Sequence, residues 1–400
     1  MDSDSRRRLR QKALVVAIGG LLAMLALATA GPAAAITEPD ADSFYDAPAN
    51  IAAKSPGTIL RQRSVTTRGL GIPLPVRTTQ MLVRSTNAKG QPTTVVTTLM
   101  VPLTWSFGKR PLLSYQPAID SLGDQCNPSY TLRTGLEKEL PLMAMGLLKG
   151  WAVVVTDYQG PNDAFAAGRM EGQGVLDGIR AAQKLSTARL SGTKVGLWGY
   201  SGGGLASGWA AELAPSYAPE LKIVGLAAGG MPSDLQAAGL QMDEGPFAGL
   251  FLAAAVGLSR EYPELLAILN PRGMKLIEAM DDMCLIEEVA SGLFKKLRDH
   301  TTVPDPLHDP VVTNVLDLNK MGVGASAPRT PVFLYHSAFD ELIPYSSAQA
   351  VRGRWCRNGT RVKFKTDYLS EHNILAVTGG PAAVAYLADR FRGATPPSNC

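Results

Sequence analysis

The chain has 400 residues, too many for one small core and enough for one large domain with an insertion. Hydrophobic residues make up 46% and charged residues 18%, the balance of a globular protein with a lightly charged surface. The formal net charge is +4, and several of the positive charges fall in the first twelve residues. Processing would leave a nearly neutral chain, which argues against a nucleic-acid partner.

Residues 1–35 read as an export signal. Arg6, Arg7, Arg8, Arg10 and Lys12 form a basic start, residues 13–30 are uncharged and apolar, and Ala33-Ala34-Ala35 offers small residues for cleavage after Ala35. The alternative is a retained anchor, because eighteen such residues just reach across a bilayer. Cleavage makes the protein secreted, extracellular or wall-associated. Cys126, Cys284, Cys356 and Cys400 suit that destination. They are an even set without zinc spacing, so two disulfides are expected and three pairings are open. A Cys356–Cys400 bridge would tie down a tail that has no packing pattern of its own.

Residues 37–56 are rich in Ala, Pro, Asp and Ser and read as an irregular arm. Residues 80–85 and 92–101 are β-rich and flank Asn87-Ala88-Lys89-Gly90, which predicts a hairpin at the antiparallel end of a sheet. From residue 111 the rhythm becomes strand–helix alternation. Strands are expected at 111–115, 150–158, 194–200 and 221–229, with helices at 171–185 and 205–213 between them. That order implies a mostly parallel sheet flanked by helices. Residues 232–318 lose the strand pattern and show helix-like stretches at 235–239, 247–258, 261–269, 274–279 and 286–297, an inserted helical domain. A strand at 331–336, a helix at 346–355, a strand at 361–368 and a helix at 382–391 complete the chain. The expected organisation is a signal at 1–35, a core at 36–231 and 319–400, and an insertion at 232–318.

Gly199-Tyr200-Ser201-Gly202-Gly203 matches G-x-S-x-G between a strand and a helix. The serine at such a turn takes a strained backbone that lifts its hydroxyl above the sheet, and the glycines let strand and helix approach. The hydroxyl needs a base held in the right tautomer. Among four histidines, His372 fits the chain order nucleophile, acid, histidine. It is placed on the loop between the last strand and the last helix. His300 and His308 fall in the polar end of the insertion, and His336 ends a strand. The acid is expected at Asp340, with Glu341 as its competitor and otherwise a surface turn residue. The Gly202 N–H is the expected first oxyanion donor. The second is expected from residues 116–121, where HGGG is absent. Asp120 or Ser121 is the natural choice, and Asp120 could act through its backbone N–H or as a protonated carboxyl.

With these pieces, the sequence resembles the secretory lipase family. The matching stretches are Gly199-Tyr200-Ser201-Gly202-Gly203-Gly204, Gly168-Arg169-Met170-Glu171-Gly172-Gln173, Asp157-Tyr158-Gln159-Gly160-Pro161, Cys126-Asn127-Pro128-Ser129-Tyr130 and the Asp340 and His372 segments, spanning about residues 45–400. The resemblance implies an α/β-hydrolase with a helical lid and a Ser201–Asp340–His372 triad. It puts an aspartate in the oxyanion loop, which maps onto Asp120, with Ser121 or Asp124 as alternatives. It also implies disulfides Cys126–Cys284 and Cys356–Cys400. The implied activity is hydrolysis of carboxylic esters, triacylglycerol-type lipids included, with no cofactor or metal. An acyltransferase on the same triad and a non-catalytic lipid-binding protein are the other readings. The apolar stretch 245–258 is expected to wall an acyl tunnel and touch a lipid interface transiently, or to be an ordinary buried helix.

Overall fold

A computed structural model describes residues 36–400. The export signal expected at 1–35, with its cleavage point, lies outside the described residues. In chain order the strands are β1 (Ile59–Val65), β2 (Arg68–Gly69), β3 (Ile72–Pro73), β4 (Val76–Thr86), β5 (Pro92–Pro102), β6 (Leu112–Gln116), β7 (Ala152–Thr156), β8 (Val195–Tyr200), β9 (Ile223–Gly229), β10 (Val332–Ser337) and β11 (Val362–Asp367). β2 and β3 pair with each other, and the other nine form one sheet in the order β1-β4-β5-β7-β6-β8-β9-β10-β11. The pairs among β1, β4, β5 and β7 are antiparallel, and all pairs from β7 to β11 are parallel. The expected hairpin is β4–β5. Its register is set where Asn87 Oδ1 accepts the N–H groups of Lys89 and Gln91, which closes the turn and leaves Thr86 opposite Pro92.

β6, β7 and β8 are buried along their whole length, as continuous apolar runs require when helices cover both faces. Neighbouring residues serve opposite faces. Leu112, Val154 and Leu197 join a core beneath helices Gly168–Lys184 and Gly202–Tyr217. Leu113, Val153 and Trp198 join a second core with helices Leu140–Leu148 and Gly380–Arg392. Gly172 lets the first two helices meet, because a Cβ there would overlap the backbone at Trp209. Helices Pro128–Thr134 and Leu140–Leu148 lie outside the expected elements; each carries proline in its first turn, where no intrahelical N–H is lost.

Between β9 and β10 run helices Leu235–Met242, Ala248–Glu261, Pro271–Met280, Leu285–Gly292 and Pro310–Leu318. The last lies in the polar end of this segment, beyond the helix-like stretches expected there. Asp309 caps it, accepting the Val311 N–H at 2.8 Å, and Pro310 opens it. The helix expected over 286–297 stops at Gly292, which packs so closely on Gly249 that a Cβ would overlap it. Among the described residues no helix is long and apolar enough to cross a membrane.

Two disulfides, Cys126–Cys284 and Cys356–Cys400, pair the cysteines as the resemblance implies. The second anchors a tail that covers the outer edge of β11. Asn399 donates its backbone N–H to the Val362 carbonyl at 2.9 Å and its side-chain amide to the Phe364 carbonyl at 2.8 Å. Its Oδ1 accepts the Phe364 N–H at 2.8 Å. One residue thus pairs three backbone groups of an edge that would otherwise be open to another chain.

Candidate active site

β8 ends at Tyr200 and a helix begins at Gly202, so Ser201 bridges them with φ 53° and ψ −124°. A non-glycine residue held there carries roughly 1–3 kcal/mol of strain. The Ser201 N–H donates to the Gly229 carbonyl at 2.9 Å, tying the turn to β9. A Cβ on Gly203 would overlap the Gln116 carbonyl, and one on Gly202 would overlap the Asp120 carboxyl. The glycines therefore admit β6 and its following loop to within contact of the turn.

His372 is not in a loop but opens helix Gly380's predecessor, the short helix His372–Thr378. Glu371 caps that helix, accepting the N–H groups of Asn373 at 2.7 Å and Ile374 at 2.6 Å. The Glu371 cap is the physical reason for the difference from expectation, since it satisfies the free N–H groups that let a helix begin at His372. His372 Nε2 lies 2.9 Å from Ser201 Oγ and Nδ1 lies 2.7 Å from Asp340 Oδ2. The Asp340 side chain is fully buried, and its Oδ1 accepts the N–H groups of Leu342 at 3.1 Å and Ile343 at 2.7 Å.

Glu341 is no idle turn residue: its Oε2 accepts the His372 N–H at 3.1 Å while Asp340 takes the ring. Tyr200 donates its hydroxyl to the His372 carbonyl at 2.7 Å. These contacts were absent from the sequence expectations, as was that of His336. His336 is 1% exposed, and its Nε2 lies 3.2 Å from Asp340 Oδ2. Its place four residues before Asp340 at a strand end was the one available signal. His308 is exposed beside Asp305, and His300 lines an apolar cavity that Ser201 also borders.

Asp120 has φ 46° and is 5% exposed, with Oδ1 buried and without a hydrogen-bond partner. Burial pushes its carboxyl up toward the neutral acid, against the pull of Lys138, His372 and the Gly202 N–H. Tyr158 fixes the loop, donating to the Pro117 carbonyl at 2.7 Å and accepting the Ile119 N–H at 3.2 Å. Ser121 is otherwise engaged, donating to the Ile119 carbonyl and accepting the Leu285 N–H. Asp124 sits in the turn Asp124–Cys126, its carboxyl pushed up to about 7 by burial and by Asp40.

Two cavities meet at Asp120 and Ser201. One is walled by Leu250, Phe251 and Ala254 of helix Ala248–Glu261 and reaches Leu276 and Ile277. The same helix therefore both borders the cavity and packs into the core, where Leu252 and Ala253 are fully buried. The other passes Lys138, His372 and Asn373 to Ile286 and Leu293, which are exposed. Among the described residues no group of three His, Cys, Asp or Glu side chains is arranged to hold a metal.

The sequence profile of the family described as secretory lipase matches residues 125–399. A Mycobacterium tuberculosis protein named "probable inactive lipase" is 38% identical over 89% of this chain and 83% of its own length. Lipase A of Arthroderma benhamiae is 37% identical over 90% of this chain and 81% of its own. The X-ray structure of Candida antarctica lipase A in its closed state is similar with a TM-score of 0.85 and 30% identity, covering 92% of this chain and 89% of that one.

Proposed function

The chain belongs to the secretory lipase family, and from that premise we propose that it is a secreted serine carboxylic-ester hydrolase working through an acyl-enzyme. Ser201 attacks the ester carbonyl and His372 takes its proton. Asp340 orients the imidazole and stabilises its charged form. The Gly202 N–H and Asp120, as a neutral acid or through its backbone, hold the tetrahedral oxyanion. His372 returns the proton to the leaving alcohol, then activates water to release the acid. The substrate is an ester with a long apolar acyl group, triacylglycerols included, seated in the cavity under helix Ala248–Glu261. Residues 232–318 act as the lid and meet the lipid interface.

The observation that carries this reading is the pair of contacts at His372, 2.9 Å to Ser201 and 2.7 Å to Asp340. The purified protein is expected to hydrolyse p-nitrophenyl esters, and Ser201→Ala to lose at least ~10⁴-fold in rate. A variant that keeps most of the activity would overturn the assignment of Ser201. One observation favours a non-catalytic lipid-binding protein: a relative 38% identical is named a "probable inactive lipase". Failure of Ser201 to react with a fluorophosphonate would select that reading. Transfer of the acyl group to an added alcohol in preference to water would select an acyltransferase.

A further inference from the structure

His336 stands one residue before the end of β10, with its imidazole turned back onto the loop that carries Asp340. Nε2 lies 3.0 Å from the Ile343 carbonyl oxygen and 3.2 Å from Asp340 Oδ2. A carbonyl oxygen only accepts, so Nε2 carries the hydrogen. Burial draws the imidazole's pKa down from its ordinary value, against the pull of Asp340, which favours the neutral ring. The hydrogen is therefore forked between the carbonyl and the carboxylate. Asp340 then receives four N–H donors: two backbone groups on Oδ1, and the rings of His372 and His336 on Oδ2.

We infer that His336 is a positioning residue for the reaction, a second imidazole donor that shares Asp340 Oδ2 with His372 and sets how strongly that carboxylate acts on the His372 ring. The inference rests on the reading of Ser201, His372 and Asp340 as the catalytic relay. A donor on Oδ2 withdraws part of the oxygen's charge from His372 and holds the carboxylate plane in line with Nδ1. Removing it leaves more negative charge facing His372, so the imidazolium is favoured and the base-competent form is lost at a higher pH. The other groups facing His372 stay unchanged: Glu341 on its backbone N–H, Glu371 at the helix cap, Tyr200 on its carbonyl, and Asp120 across the turn.

The test is the pH dependence of kcat/KM and of fluorophosphonate labelling in His336→Leu, His336→Gln and His336→Asn. Gln can bring an amide N–H to the place of Nε2; Asn is too short and Leu has no donor. His336→Leu and His336→Asn are expected to lose roughly ten-fold in kcat/KM. Their acid limb is expected to move up by about half a pH unit, and His336→Gln to stay near wild type on both counts. If Leu does not fold, the Gln–Asn contrast decides alone. An acid limb equal in wild type and Asn, or a Gln variant no better than Asn, overturns the inference. Wild-type protein that neither hydrolyses esters nor labels at Ser201 would instead overturn the catalytic reading itself, so the two failures are distinct.

Discussion

The Asp120 carboxyl faces Gly202, and the two are fitted so tightly that any side chain at 202 would overlap it. Burial raises its pKa, so the neutral form that can donate an O–H is held to a higher pH than an exposed aspartate allows and is lost as pH rises further. If that form binds the oxyanion, kcat/KM falls on the alkaline side. Asp120→Asn keeps a neutral donor and is expected to remove that limb while retaining much of the rate. Asp120→Ala is expected to cost roughly 10²–10³-fold in kcat. Steady-state rates from pH 6 to 10 check both. Ser201 and its chain-order partners were legible because the chemistry demands those residue types in that sequence. Asp120 was legible as one of two candidates, with Ser121, on the loop after β6, and the family likeness favoured it; that burial raises its carboxyl is something no spacing rule predicts. The contacts of Glu341 and His336 were missed for another reason: which way a side chain turns near a strand end is set by its folded neighbours, His372 for Glu341 and the loop of Asp340 and Ile343 for His336.

Among the elements, helix Leu285–Gly292 carries an unusual load. Its Glu288 is fully buried, and burial pushes the carboxyl up to about 9. The folded state keeps this proton while the unfolded chain loses it above about 4.5, so stability drains away as pH rises from 4.5 toward 9. Glu288→Gln removes the titration. Its Tm relative to wild type is expected to be little changed at pH 4.5 and to gain several degrees by pH 8, measured by calorimetry. The parallel strands were readable as apolar runs, and the hairpin from its turn. The helices Pro128–Thr134 and Pro310–Leu318 were not. Each is short and begins with proline, and a proline among polar residues reads equally as a loop until tertiary packing decides.

At the scale of the molecule, the disulfides close long loops. The sequence separation of Cys356 and Cys400 is 44, for which chain entropy gives about 4 kcal/mol. Replacing both with serine is expected to lower Tm and hasten aggregation on heating, since the tail that covers β11 is released. Esterase activity per folded molecule should not change, and light scattering with an activity assay checks the pair. The Cys126–Cys284 bridge has a different reach. It joins two further ties at the same end of helix Leu285–Gly292, the Leu285 N–H on Ser121 Oγ and the Leu122 N–H on the Met283 carbonyl. That end is bolted to the loop bearing Asp120, whereas Ile286 and Leu293 face outward from the helix. Strain placed on the start of this helix therefore falls on the loop that holds Asp120 beside Ser201, while its other end, with Gly292 seated on Gly249, leans on the neighbouring helix instead.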